Sequence, residues 1–132
     1  MTVASGWLPV VAVASGSAVG ALLRWQAGLW LNAPAMRWLG FPLGTLIVNG
    51  VGGLLIGVAM VHFERSPDEL WRLLVITGLL GGLTTFSSFS AESLMLLQRG
   101  AWLMALAHTV AHVIGSLLCA ALGFGLARLL TD

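Results

Sequence analysis

Four long apolar stretches, separated by short polar segments, make up most of the chain. They cover about residues 7–31, 43–63, 70–97 and 101–130. Each is long enough to cross a hydrocarbon core of about 30 Å as a helix, which takes about 20 residues. Most charged residues lie between or at the ends of these stretches, as expected for segments at a membrane surface. The pattern predicts an all-α membrane protein with four transmembrane helices in a single domain over residues 1–132.

The third stretch differs from the others because small and polar residues interrupt it: Gly81, Gly82, Thr84 and Thr85. A break in a membrane helix leaves backbone N–H and C=O groups without partners, at several kcal/mol each. Such a break is tolerated only where protein, water or an ion satisfies those groups. In broken helices, carbonyls at the end of the first half meet cations, and amides at the start of the second meet anions. The sequence therefore predicts an ion site at this break.

Beyond the break, Thr85, Phe89 and Glu92 fall on one helical stripe, with Phe86 beside it. A phenyl ring has a positive edge, so a phenylalanine pair inside a Ser/Thr-rich run can meet an anion without strong hydration. Glu92 is the only carboxylate well inside the four stretches. It is either an exposed residue near the helix end or part of an internal hydrogen-bond chain, and we favour the second.

The first two stretches carry three polar side chains of interest. Arg24 is either an anchor that snorkels to the lipid headgroups or a fixed positive charge at a pore mouth. Thr45 and Asn49 lie four residues apart and share a helix face. Asn49 either makes an interhelical hydrogen bond or donates to a permeating anion. We favour the second interpretation of Asn49, because polar residues inside membranes usually serve function.

The fourth stretch carries a polar stripe, with His108, His112 and Ser116 each four residues apart. The two histidines have a spacing that metal sites use, but no glutamate follows the first one as in a zinc-protease motif. The only other histidine, His62, lies near a predicted interface. We therefore expect a polar lining or a helix–helix hydrogen bond here, and not a metal site.

Composition excludes several functional classes. The chain is 58% hydrophobic and 8% charged, with a net charge of +1 and no lysine, so a basic surface for nucleic acid is not expected. Phosphate loops, dinucleotide fingerprints and nucleophile elbows do not occur in the sequence. Because four spans use the whole length, we expect no soluble catalytic domain, and no enzyme.

The arginines divide evenly between the two predicted sides of the membrane. One side has Arg65, Arg72 and Arg128, and the other has Arg24, Arg37 and Arg99. The distribution of positive charge therefore does not predict which side of the protein faces the cytoplasm. We hypothesise that the chain inserts both ways up, and that two opposed copies form an antiparallel dimer whose helix breaks meet.

Three motifs, which span residues 20–24, 44–49 and 81–92, identify a known family. They read Gly20-xxx-Arg24, then Gly-Thr-Leu-Ile-Val-Asn, and then Gly-Gly-Leu-Thr-Thr-Phe-Ser-Ser-Phe-Ser-xx-Glu. With these motifs and its four spans, the chain resembles the Fluc (CrcB) fluoride-channel family over its whole length.

The resemblance implies a fluoride-specific passive channel that lets fluoride leave the cell and lowers its toxicity. It implies an antiparallel, dual-topology homodimer, multi-pass in the bacterial inner membrane and surrounded by lipid. It also implies a structural sodium ion, not transported, held by the backbone carbonyls of Gly81 and Thr84. The family's fluoride path corresponds here to Phe86, Phe89, Asn49, Thr45, Thr85, Glu92, Ser116 and Arg24. Many relatives carry a tyrosine at the position of His108, whereas this chain has none.

Two other functions explain part of the sequence. A small dual-topology exporter of cationic drugs needs an acidic residue deep in a span, but Glu92 lies beyond the break. A non-conducting scaffold of packed helices explains the glycine stripes. It does not explain why the third span is polar and broken.

Overall fold

A computed structural model describes residues 6–32 and 42–131. All regular elements in these two ranges are helices, and four of them are long and apolar enough to cross a membrane. Their bounds are Trp7–Leu31, Leu43–Arg65, Glu69–Gln98 and Trp102–Thr131. The all-α class with four candidate spans is thus confirmed. The predicted first loop, with Arg37, lies largely outside the described residues.

The third span is bent into two halves. We name the helices α1 (Trp7–Leu31), α2 (Leu43–Arg65), α3 (residues 69–83), α4 (Phe86–Gln98) and α5 (Trp102–Thr131). Within α3, the segment Leu73–Leu80 is wound as a π-helix. Thr84 and Thr85, between α3 and α4, are extended, with ψ angles of 155° and 118°.

The predicted break is therefore confirmed, but it is narrower than expected. Gly81 and Gly82 are helical, within the short turn Gly81–Leu83. The expectation that these two glycines interrupt the helix was wrong. Gly82 has a packing reason instead: a Cβ atom there would lie 2.9 Å from the Cα atom of Ser17 on α1.

Both ends of α4 have local hydrogen bonds that fix them. The Thr85 side chain accepts from the Ser88 N–H at 3.1 Å and so caps the first turn. At the other end Gly100 adopts φ +72° and donates to the Leu97 carbonyl at 3.0 Å. This left-handed conformation suits glycine and turns the chain directly into α5.

The helices pack closely in two pairs through glycine stripes. Between α1 and α3, a Cβ on Gly16 would lie 3.0 Å from the Cα atom of Gly78. Between α2 and α5, a Cβ on Gly53 would lie 2.7 Å from the Ser116 carbonyl oxygen. Larger residues would push these backbones apart. The close approach of α2 and α5 brings the polar residues of both helices to the break.

Candidate ion-binding site at the helix break

Asn49 of α2 binds the broken backbone directly. Its Oδ1 atom accepts from the Thr85 N–H at 2.8 Å, and its Nδ2 atom donates to the Thr85 carbonyl at 3.1 Å. Both backbone groups of this extended residue thus find a partner on a neighbouring helix. The interhelical hydrogen bond considered for Asn49 is confirmed, and a role as a donor to an anion stays a prediction. We call this pair of hydrogen bonds the Asn49–Thr85 clamp.

Among the carbonyls that the break leaves without their usual helical donors are those of Gly81 and Thr84. In an α-helix the Thr85 N–H would donate to the Gly81 carbonyl, and the Ser88 N–H to the Thr84 carbonyl. Here those two N–H groups donate to Asn49 Oδ1 and to Thr85 Oγ1. The oxygens of Gly81 and Thr84 are therefore available to another partner. Neutral carbonyl oxygens at the end of a half-helix suit a monovalent cation such as sodium.

Arg24 reaches a third carbonyl at the end of α3. Its Nε atom donates to the Gly82 oxygen at 3.1 Å, and the side chain is partly buried. This hydrogen bond ties α1 to the break and was not foreseen from the sequence. The fixed charge at a pore mouth stays a prediction for this residue.

A groove of about 470 Å³ runs along the break between α2, α3, α4 and α5. We call it the central groove. Phe86 and Phe89 lie on its wall with ring centroids 5.2 Å apart. The exposed fraction of Phe86 is 76% and that of Phe89 is 8%, so one ring stands at the open edge and the other lies inside. The groove is also lined by the polar residues Asn49, Thr84, Thr85, His112 and Ser116 and by Gly81.

A second cavity of about 330 Å³ lies on the α1 side of the break. We call it the side cavity. Its lining includes Arg24, Thr45 and Glu92, together with Thr85 and Ser88. The structure thus divides the eight residues predicted for the fluoride path. Five line the central groove and four line the side cavity, because Thr85 lines both.

Glu92 stands in an internal hydrogen-bond chain, as predicted. Thr45 Oγ1 donates to Glu92 Oε1 at 2.5 Å. The other carboxylate oxygen lies 3.3 Å from His108 Nε2, and His108 Nδ1 lies 3.0 Å from Ser93 Oγ. His108 is fully buried. The chain therefore joins α2, α4 and α5 through one carboxylate.

The two histidines of α5 lie against Phe89. Their ring centroids are 5.5 Å (His108) and 4.9 Å (His112) from that of Phe89, and 4.4 Å from each other. Asn49 Nδ2 is 3.2 Å from His112 Nδ1. The polar stripe of the fourth span thus makes helix–helix hydrogen bonds, one of the two expected outcomes. Its other member, Ser116, lines the central groove.

The convergence of Glu92 with both histidines was missed in the sequence. One ligand atom from each of the three residues lies within 4.8 Å of the others. Ser93, which bonds to His108, was missed as well. The 16-residue separation of Glu92 and His108 follows no helical period. Their contact depends on how the turn at Gly100 folds α5 back onto α4, and no local signal gives that angle.

Residues 11–124 match the model of a family described as CrcB-like protein, Camphor Resistance (CrcB). Several relatives, among them the three that follow, carry the name fluoride-specific ion channel FluC. The one from Marinobacter nauticus is 52% identical, over 89% of this chain and 93% of its own. The one from Bordetella petrii is 49% identical, over 93% and 94% respectively. The one from Pseudomonas aeruginosa is 50% identical, over 89% and 91%.

Proposed function

The chain belongs to the CrcB-like family, and on that premise we propose that it is a fluoride-specific channel through which fluoride leaves the cell passively. The family resemblance found in the motifs is confirmed. With four candidate spans it is a multi-pass membrane protein of the bacterial membrane. We place it in the inner membrane, where an exit path lowers the fluoride concentration of the cytoplasm.

The observation that carries this proposal is the lining of the central groove. The Phe86–Phe89 pair stands beside the Asn49–Thr85 clamp, and neither contributes a formal charge. Among the described residues that line the groove, none is arginine, aspartate or glutamate. Fluoride is small and strongly hydrated, so a selective path has to replace its water with close donors. Hydroxyls, amides and ring edges do so without the full positive charge that would hold the ion too tightly.

Fluoride passes along both cavities in this proposal. Phe86, Phe89 and Ser116 contact it in the central groove, Asn49 lines this part of the path and holds the break, and Thr85 is the residue common to both cavities. Thr45, Glu92 and Arg24 line the continuation on the α1 side. The exporter alternative loses support, because both oxygens of the one inner carboxylate contact protein groups, Thr45 and His108.

The working unit is an antiparallel homodimer in this proposal. The central groove is open, and Phe86 at its edge is 76% exposed, which suits coverage by a second copy. An inverted copy would bring its own break to the same place. Fusing a reporter to the C-terminus tests the orientation. We expect activity from reporters of both sides of the membrane, and reporter activity on one side only would contradict the dual topology.

A structural sodium ion fits the carbonyls of Gly81 and Thr84. The N–H groups that would bond to these carbonyls in a continuous helix donate to Asn49 and to the Thr85 hydroxyl instead. Gly81 and Thr84 both line the open groove. Two carbonyls from each of two copies would then hold the ion, whose charge would join the opposed breaks. Replacing sodium by N-methylglucamine on both sides is expected to slow fluoride efflux and weaken the dimer. Unchanged efflux and an unchanged dimer would contradict this site.

Fluoride efflux from liposomes tests the function itself. Purified protein is reconstituted, and efflux is followed with a fluoride electrode beside a chloride electrode. We expect fast fluoride efflux without chloride efflux, and a loss of at least tenfold for Phe86→Ile. Phe63→Ile is the matched control, because Phe63 lies on α2 and does not line the central groove. Folded wild-type protein that releases no fluoride would favour the scaffold alternative.

A further inference from the structure

His112 is held in one orientation by the Asn49–Thr85 clamp. The Asn49 side-chain oxygen already accepts from the Thr85 N–H, and its nitrogen donates to the Thr85 carbonyl. Exchanging the oxygen and nitrogen of the Asn49 amide would place donor against donor and acceptor against acceptor. The Asn49 atom that faces His112 Nδ1 at 3.2 Å is therefore an N–H donor. His112 Nδ1 must accept, and the neutral ring then carries its proton on Nε2.

The Nε2–H group of His112 needs an acceptor that the described part of the chain does not provide. The exposed fraction of His112 is 4%, and its Nε2 atom has no hydrogen-bond partner among the described residues. Leaving a buried N–H group without an acceptor is unfavourable. His112 lines the central groove between Phe89 and Ser116. A water molecule or an anion that enters this groove and reaches Nε2 would supply the acceptor.

A transition metal fits less well at the same place. Glu92, His108 and His112 do form a donor set that zinc accepts, with ligand atoms within 4.8 Å of one another. A histidine that binds metal through Nε2 must carry its proton on Nδ1. In His112 that proton would meet the N–H of Asn49, whose orientation Thr85 fixes. The clamp thus favours a proton donor over a metal ligand.

We propose that His112 is an anion-binding residue, and that its Nε2–H donates to fluoride in the central groove. This inference rests on the proposed fluoride-channel function and adds a donor to its path. Asn49 acts on it as a positioning residue, because it selects the tautomer. The charged or titratable side chains near His112 are Glu92 on α4 and His108 on its own helix. Glu92 Oε2 lies 3.3 Å from His108 Nε2.

The tautomer and its response to fluoride are measured by NMR on protein labelled with ¹⁵N-histidine. The chain has three histidines, so His62, His108 and His112 are assigned with one variant each. We expect His112 to show the Nε2–H form, with a proton resonance that shifts on addition of fluoride and not of chloride at equal ionic strength. His62 should not respond. An Nδ1–H form, or an Nε2–H resonance that does not respond to fluoride, would overturn the proposal.

Efflux measurements on variants give a second, independent readout. His112→Met removes the donor at similar volume, whereas His112→Gln keeps an N–H donor near the Nε2 position. We expect His112→Met to lower fluoride efflux at least tenfold, which corresponds to about 1.4 kcal/mol. The rate of fluoride efflux through His112→Gln should stay within about threefold of the wild-type rate. His62→Met is the matched control and should not change efflux, because His62 lies outside both cavities.

The outcomes separate this proposal from the proposed function. Wild-type protein without fluoride efflux would contradict the channel itself. Wild-type efflux that His112→Met leaves unchanged would contradict only the role of His112. If size-exclusion chromatography shows that His112→Met misfolds, the NMR response of the wild-type protein decides.

Discussion

Replacing Asn49 by leucine tests the clamp that organises the site. Leucine has a similar volume but can neither accept from the Thr85 N–H nor donate to the Thr85 carbonyl. Both bonds are short, at 2.8 and 3.1 Å, and the exposed fraction of Thr85 is 8%. Water therefore reaches these backbone groups poorly once Asn49 is gone. The substitution should loosen the junction of α3 and α4 before it affects the rest of the fold.

The magnitude expected at Thr85 follows from the two bonds of the clamp. Asn49→Leu also removes the contact between Asn49 Nδ2 and His112 Nδ1, which does not involve Thr85. A buried polar group without a partner costs about 1–3 kcal/mol. Interhelical hydrogen bonds in membranes average nearer the low end, at about 0.6–2 kcal/mol each. Two bonds together therefore predict a local loss of about 2–4 kcal/mol. Since about 1.4 kcal/mol is a factor of ten, the opening equilibrium at Thr85 should rise about 30- to 700-fold.

Hydrogen exchange at the Thr85 amide measures this opening directly. In Asn49→Leu the Thr85 amide should exchange about 30- to 700-fold faster than in the wild type. The increase in exchange rate should be smaller for amides toward the ends of the helices. Asn32→Leu is the matched control, because Asn32 Oδ1 accepts from the Gly44 N–H at 2.9 Å. That control should speed exchange at Gly44 and leave Thr85 unchanged.

One exchange result would contradict the role of Asn49 in the clamp. If folded Asn49→Leu protein shows the wild-type exchange rate at Thr85, then Asn49 does not satisfy the break. Faster exchange over the whole chain would instead show global destabilisation, which the local argument does not predict.

Three further substitutions test neighbouring parts of the site by unfolding in mixed detergent micelles. Thr45→Val leaves a Glu92 oxygen without its donor and should lower the free energy of unfolding by about 1.5–3 kcal/mol. Thr45→Ser keeps the hydroxyl and should lower it by less than about 1 kcal/mol. Equal losses for both would argue against the bond. Thr85→Ala removes the N-cap of α4 and should cost about 1 kcal/mol, most of which Thr85→Ser should restore. Gly57→Ala places a methyl group against the backbone of α5 and should destabilise by about 1–3 kcal/mol. Gly115→Ala meets open space and should be neutral or slightly stabilising, and the reverse order would contradict the packing.

The four spans and the break could be predicted because each depends on local composition. A run of apolar residues has to be long enough to cross the membrane, and that length is visible in the sequence. Thr85 could be identified because a threonine side chain can cap the helix that follows. The glycines before them were harder to interpret. A glycine in such a stretch can break a helix or pack against another one, and only the position of α1 decides for Gly82.

The partners of the polar side chains could not be predicted from one sequence. Asn49 and Thr85 are separated by 36 residues, and Glu92 and His108 lie on different helices. Such contacts depend on crossing angles and on the rotation of each helix about its axis. A helical period gives the face of each residue but not the neighbour that this face meets. The same limit applies to Arg24, because its hydrogen bond to Gly82 joins two residues that are 58 positions apart in the sequence.

In the proposed function, fluoride and not chloride crosses the membrane along the central groove at the helix break. Current through a planar bilayer that contains the purified protein tests it most directly, with independent gradients of the two anions. We expect a reversal potential that follows the fluoride equilibrium potential and does not respond to the chloride gradient, and we expect the current to be lost in Phe86→Ile. A reversal potential set by chloride, or a fluoride current that Phe86→Ile leaves unchanged, would contradict it.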